Sequence, residues 1–158
     1  MQIRPMRAQD ILEVSQVHRE AFPRQDLSEE WITCNFTAYP RIRLFVAADN
    51  KQILGYIQWS EKSGFRKEVV LELEQIAVRP TYRLQCIGKQ LILQTLAVVQ
   101  KELENRQACI KHILISTRAD NKAQKLYSKI LKALPEVVIA DLFSGDEVLM
   151  ISRNLVVL

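Results

Sequence analysis

The chain has 158 residues, of which 48 % are apolar and 25 % charged, with a formal net charge of +4. That length suits a single domain over residues 1–158 that buries a core without staples. No run approaches the ~20 apolar residues of a membrane span, and "MQIRPMRAQD" lacks the apolar centre of a secretory signal. Cys34, Cys86 and Cys109 are odd in number and scattered. They read as free thiols in a reducing, cytoplasmic compartment. Lys and Arg are spread along the chain without interleaved aromatics, which argues against nucleic acid. An anionic small molecule fits the charge equally well.

In chain order, "QIRPM" (2–6) predicts a first strand. Residues 8–22 carry Ile11, Leu12, Val14, Val17 and Phe22 at helical spacing and stop at Pro23. Residues 27–39 predict a second helix, with Ser28 as N-cap, acids in the first turn and Pro40 as a stop. "IRLFVAAD" and "QILGYIQWS" flank "DNK" as a hairpin. A charged loop, 61–68, leads into the strand "VVLELEQIAV" (69–78). Residues 87–105 predict a helix with Gly88, Ile92, Thr95, Val99 and Leu103 on one face. "HILIST" (112–117) is a buried strand. Residues 120–134 predict a helix whose apolar face is Ala123, Leu126, Tyr127, Ile130, Leu131 and Leu134. "EVVIADLF" and "EVLMISRNL" flank "SGD" as a closing hairpin. The order β-α-α-β-β-β-α-β-α-β-β implies an α/β (α+β) fold, a mixed central sheet flanked by helices on both faces.

The stretch from Leu73 to Gln94 is a strand, a turn and a helix. The first amides of such a helix lack internal partners and carry its positive dipole end, so a phosphate placed there meets backbone N–H groups. Arg79, Arg83 and Lys89 add side-chain charge, and Gly88 allows close approach. The glycine patterns of a P-loop and of a dinucleotide fold are both missing. On these residues alone, a basic solvated helix start explains the stretch as well as a phosphate site does.

"IAVRPTYRLQCIGKQLI" resembles the acetyl-CoA signature of the GNAT acetyltransferase superfamily: an apolar strand, often a proline, then Arg/Gln-x-x-Gly-x-Gly/Ala opening a helix. Here it reads Arg83-Leu84-Gln85-Cys86-Ile87-Gly88. Gly88 keeps the second glycine, and Cys86 replaces the first. "ADNKAQKLYSKI" (119–130) resembles the second motif, Asn-x-x-Ala-x-x-Leu-Tyr. Ala123 and Tyr127 keep their spacing, while Asn121 lies one place nearer the tyrosine and Asp120 fills its usual slot. The Gly-Phe pair that often follows is absent. Residues 18–31 and 44–59 resemble the N-terminal half of ribosomal-protein alanine N-acetyltransferases.

This resemblance implies an N-acetyltransferase that uses acetyl-CoA. The backbone of Ile76, Ala77 and Val78 would hold the pantetheine arm, with the Val78 N–H towards the thioester oxygen. Arg83, Leu84, Gln85, Cys86, Ile87, Gly88 and Lys89 would cradle the pyrophosphate. Asn121 would contact the cofactor, and Tyr127 would protonate the departing thiolate. The acceptor would be a primary amine, with a protein N-terminus favoured over a small-molecule amine.

The chemistry also needs a base, because most amines are protonated near neutral pH. Strand alternation puts Glu72, Glu74, Ile76 and Val78 on one face. Glu72 matches the catalytic glutamate of histone-type members and is the first choice, Glu74 the second. A solvated strand residue is the competing reading for each. Tyr127 could equally be a core tyrosine, and Phe22, Trp31 and Tyr39 either line an acceptor groove or belong to the core. Cys86 sits where a thiol can be activated, but direct transfer needs no nucleophile. His18 and His112 stand alone without metal-ligand spacing, so no metal is expected. The alternative reading is a non-catalytic acyl-CoA-binding or regulatory module on the same fold. The oligomeric state is left open.

Overall fold

The computed structural model describes residues 1–50 and 52–153. The strands are β1 (Gln2–Pro5), β2 (Ile42–Ala48), β3 (Ile53–Glu61), β4 (Glu68–Val78), β5 (Cys109–Arg118), β6 (Leu134–Ile139) and β7 (Glu147–Arg153). The helices are α1 (Ile11–Ala21), α2 (Ser28–Thr37), α3 (Ile87–Glu104) and α4 (Gln124–Leu131), with 3-10 turns at Ala8–Asp10 and Pro80–Tyr82. One sheet of order β1-β2-β3-β4-β5-β7-β6 contains all seven strands. β4 and β5 pair in parallel, and β1–β2, β2–β3, β5–β7 and β6–β7 pair antiparallel. The sheet is therefore mixed, in the element order expected from the sequence.

Two compact units share the chain: Met1–Ser60 with Gln75–Val98, and Glu61–Glu74 with the described residues from Val99 onward. In the first unit, Val14 and Val17 of α1 and Ile32 of α2 pack on Leu44, Val46, Ile53, Tyr56 and Ala77. Every residue of β2 and β3 is buried. Tyr56 faces this cluster. Trp59, three residues on, points to the other face. There its Nε1 donates to Thr95 Oγ1 of α3 at 2.8 Å, and Thr95 Oγ1 donates to the Leu91 carbonyl at 2.7 Å. Helices thus cover both faces of the sheet in this unit. The entry to α1 is held by Asp10, whose carboxylate accepts from both Arg4 terminal nitrogens (2.6 and 2.9 Å) and from the Arg7 amide (2.7 Å). Arg4 accordingly holds the buried Asp10 carboxyl below the usual carboxylate range.

In the second unit, Ile113 and Ile115 of β5, Val148 and Met150 of β7 and Leu131 of α4 are buried. β4 alternates along its whole length: Val69, Leu71, Leu73, Gln75 and Ala77 are buried, while Val70, Glu72, Glu74, Ile76 and Val78 are half-buried. That is the two-residue period of a pleated strand, with the two glutamates on the predicted face.

Two expectations need correction. Ser28 is not the N-cap of α2: Leu27, in the left-handed region at φ 51°, holds that position. Ser28 instead faces inward and bonds His18. The helix expected over 120–134 is only Gln124–Leu131. Lys132 turns left-handed at φ 55°, and the amides of Lys132 and Ala133 both close on the Tyr127 carbonyl, so the helix stops at a left-handed residue. Leu134 therefore leaves the helical face and begins β6, where it is 65 % exposed. The first hairpin turn closes through Asp49, whose amide donates to the Gln52 carbonyl and whose carboxylate accepts the Gln52 amide. Lys51 of that turn, and Asn154 and Leu155 of the last predicted strand, lie outside the described residues.

Candidate functional site

The first unit contains the strand–turn–helix. β4 ends at Val78, and its end is locked to β3. The Arg79 amide donates to the Leu54 carbonyl (2.9 Å), and Arg79 Nε donates to the Ile53 carbonyl (2.8 Å). The guanidinium also pairs with Glu20 and lies 3.8 Å from Glu13. Arg79 was expected to add free charge at the turn; its charge is instead used inside the fold. Gly55 makes this closeness feasible, since a Cβ there would stand 2.5 Å from the Ala77 carbonyl oxygen.

After the Pro80–Tyr82 turn, Arg83 Nε donates back to the Val78 carbonyl at 3.2 Å. Leu84 (φ 63°) and Cys86 (φ 61°) both adopt the left-handed region, which ordinarily favours glycine. α3 then starts at Ile87, and its first internal bond runs from the Gln90 amide to the Cys86 carbonyl at 3.0 Å. No main-chain amide from Leu84 to Lys89 donates to another described residue. Six consecutive N–H groups are thus left open at the positive end of an 18-residue helix, with left-handed residues that turn successive amides into a concave nest. Arg83, Leu84, Gln85, Cys86 and Lys89 are exposed, Ile87 is buried and Gly88 is half-buried. This arrangement suits a large anion held mainly by backbone.

The same unit holds a buried polar cluster behind β4. Gln75 Oε1 accepts from the Tyr56 hydroxyl (2.8 Å) and from Trp31 Nε1 (3.1 Å). Gln75 Nε2 donates to Gln25 Oε1 at 3.3 Å. His18 is fully buried, with Nε2 3.0 Å from Gln25 Oε1 and Nδ1 2.9 Å from Ser28 Oγ. This network assigns the neutral ring with its proton on Nε2 and the serine hydroxyl donating to Nδ1. Burial pushes the His18 pKa below its ordinary value, partly offset by the bond to Gln25. Sequence reasoning placed His18 alone and gave Gln75 no role. The available signal was Gln75 itself, the one polar residue on the buried face Val69-Leu71-Leu73-Gln75-Ala77. Trp31 is 39 % exposed with its ring nitrogen tied inward, and Tyr39 is exposed.

In the second unit, the parallel β4–β5 ladder runs from Glu68↔Cys109 to Glu72↔Leu114. Glu72 Oε2 pairs with Lys62 Nζ at 2.7 Å, so the first-choice base is held by a cation on the preceding loop. Glu74 lies two residues on along the same face and has partners of its own. Asn121 Nδ2 donates to Thr117 Oγ1 (2.8 Å), and its Oδ1 accepts the Ala123 amide (2.9 Å). Its side chain thus shapes the entry to α4. Tyr127 is buried, and burial raises its pKa to about 12. The hydroxyl stays protonated throughout the neutral range.

A family model described as "Acetyltransferase (GNAT) family" matches residues 11–132, more than half of the chain. No curated protein matches the sequence. Solved structures share the fold. A ribosomal-protein alanine N-acetyltransferase from Escherichia coli aligns at a TM-score of 0.73 and 20 % identity, covering 96 % of this chain and 92 % of that one. An aminoglycoside 6'-N-acetyltransferase complexed with coenzyme A aligns at 0.73 and 16 % identity, covering 97 % of each chain. A PaiA N-acetyltransferase from Thermoplasma acidophilum, also with coenzyme A, aligns at 0.67 and 17 % identity, covering 96 % and 98 %.

Proposed function

The chain belongs to the acetyltransferase (GNAT) family, and on that premise we propose that it transfers the acetyl group of acetyl-CoA to a primary amine by direct attack in a ternary complex. The observation that carries this reading is the run of six open amides from Leu84 to Lys89. A pyrophosphate there would satisfy donors that the fold leaves without partners and would meet the positive end of α3. Arg83 and Lys89 would add side-chain charge. The main chain of Ile76, Ala77 and Val78 would take the pantetheine arm, with the Val78 N–H assigned to the thioester oxygen.

In the transfer, the amine nitrogen bonds to the thioester carbon, the C–S bond breaks, and the nitrogen loses a proton. Glu72 or Glu74 accepts that proton, directly or through water. Tyr127, whose hydroxyl stays protonated at neutral pH, is assigned to the leaving sulfur. The acceptor we favour is a protein N-terminus, because residues 18–59 resemble the N-terminal half of alanine N-acetyltransferases.

The competing reading is a module that binds acyl-CoA without transfer. It is favoured by the Cys86 side chain in the nest and by the Lys62 ion pair on Glu72. Thermal unfolding with acetyl-CoA, followed by thiol release against a panel of peptides and amines, tests both. Binding to the native state alone stabilises by about 2.7 kcal/mol at 100 times Kd. We expect that rise in Tm together with amine-dependent release of CoA. An unchanged Tm at millimolar acetyl-CoA refutes the proposal, and a shift without release on any amine selects the module.

A further inference from the structure

We propose that the acceptor is an acidic peptide, and that the second unit holds its anionic side chain in a cavity beside Glu72. The inference rests on the acetyl-transfer reading and names its substrate class.

The cavity has a volume of about 590 Å³, ample for a few residues' worth of side chain. Three cations line it, Lys62, Arg66 and Lys111, together with His112 and a single carboxylate, Glu68. Its apolar floor is Val70 and Leu114. In the β4–β5 ladder Val70 pairs with His112, and Leu114 pairs with Glu72. Val70 and Glu72 share the half-buried face of β4. The floor therefore abuts the candidate base, and Lys62 both lines the cavity and binds the Glu72 carboxylate.

The charge of this lining is only partly neutralised. Counting Glu72 as well, three cations face two carboxylates. The Lys111–Glu68 pair, at 3.3 Å with side chains 47 % and 66 % exposed, is of the weak surface kind that a better anion displaces. Arg66 uses Nε on the Ser63 carbonyl, and its two terminal nitrogens bond no described residue. They keep the planar fork that matches a carboxylate or phosphate. His112, half-buried, lines the same cavity beside these cations. A cationic cavity next to the base, with an open guanidinium fork, fits an anion that arrives attached to the amine.

Two measurements on the full chain test this. The chain has two histidines, so the ring resonances of His112 are readily followed by NMR while succinate or inorganic phosphate is titrated. Saturating shifts of His112 with either probe are expected, weakened at least tenfold in Arg66→Ala/Lys111→Ala and strengthened in Glu68→Gln. Unsaturated shifts, or equal affinity in the wild type and the double variant, overturn the site. Acetyl transfer is then compared for Ala-Glu-Ala against Ala-Gln-Ala amides, and for Ala-phosphoserine-Ala against Ala-Ser-Ala, which separates carboxylate from phosphate as the source. At least a tenfold advantage in kcat/KM is expected for one acidic member, collapsing in the double variant. Transfer without discrimination overturns the acidic-peptide assignment and leaves the acetyl-transfer reading standing. Saturable anion binding with no transfer to any amine supports the site and defeats that reading.

Discussion

Cys86→Gly isolates the backbone strain in the turn before α3. Cys86 holds φ at 61°, a left-handed conformation that costs an L-residue about 1–2 kcal/mol. Glycine removes that cost but loses more freedom on folding, about 0.5–1 kcal/mol relative to alanine. The thiol is exposed, so no core contact is given up. The balance is a gain of about 0.5–1 kcal/mol, or roughly 1–4 °C in Tm for a chain of this size. Removing the side chain also clears the approach to the neighbouring amides, so acetyl-CoA should bind more tightly, by up to about tenfold, or ~1.4 kcal/mol. Denaturant unfolding gives the first quantity and calorimetric titration the second. Cys86→Ala is the control, because it deletes the thiol but keeps the Cβ and its strain. It should lie within about 0.5 kcal/mol of the wild type. If Cys86→Ala stabilises as much as Cys86→Gly, or if the glycine variant is less stable than the wild type, the strain argument is wrong.

Tyr127→Phe should lower turnover at least tenfold while leaving the acetyl-CoA-induced Tm shift unchanged; equal turnover removes the tyrosine from the chemistry. Gly55→Ala would drive a Cβ to 2.5 Å from the Ala77 carbonyl and should cost about 1–3 kcal/mol, weakening acetyl-CoA binding as well because the end of β4 must shift. Full retention of stability and binding would contradict the close packing there. His18 is buried with its pKa lowered, so near pH 6 the unfolded chain binds more protons than the native one. Its contribution is fully present above the unfolded value of about 6.5 and is lost as pH falls below it, by at most ~1.4 kcal/mol per pH unit. Asp10, whose pKa is lowered, adds a loss only from its unfolded value of about 4 downward. Unfolding free energy measured from pH 7.5 to 5.5 should therefore fall towards acid, and the slope should vanish in His18→Gln; a flat wild-type profile would refute the neutral, buried assignment.

The order of elements, the alternation of β4 and the strand–turn–helix from Leu73 onward were all legible in the sequence. Each rests on local periodicity, and a strand or helix face repeats its burial every two or 3.6 residues wherever the chain sits. Several decisive features had no such signal. The left-handed turns at Leu84, Cys86 and Lys132 occur at residues that locally prefer other conformations. Lys132 ended α4 before the apolar period at Leu134 ran out. Arg79 bound Glu20, Lys62 bound Glu72, and His18 joined Ser28, Gln25 and Gln75, pairings between positions that periodicity treats independently. Sequence determined which faces were apolar, because transfer free energy is a property of the side chain. Tertiary structure decided which charges and amides stayed open, because that depends on which distant groups reach them first.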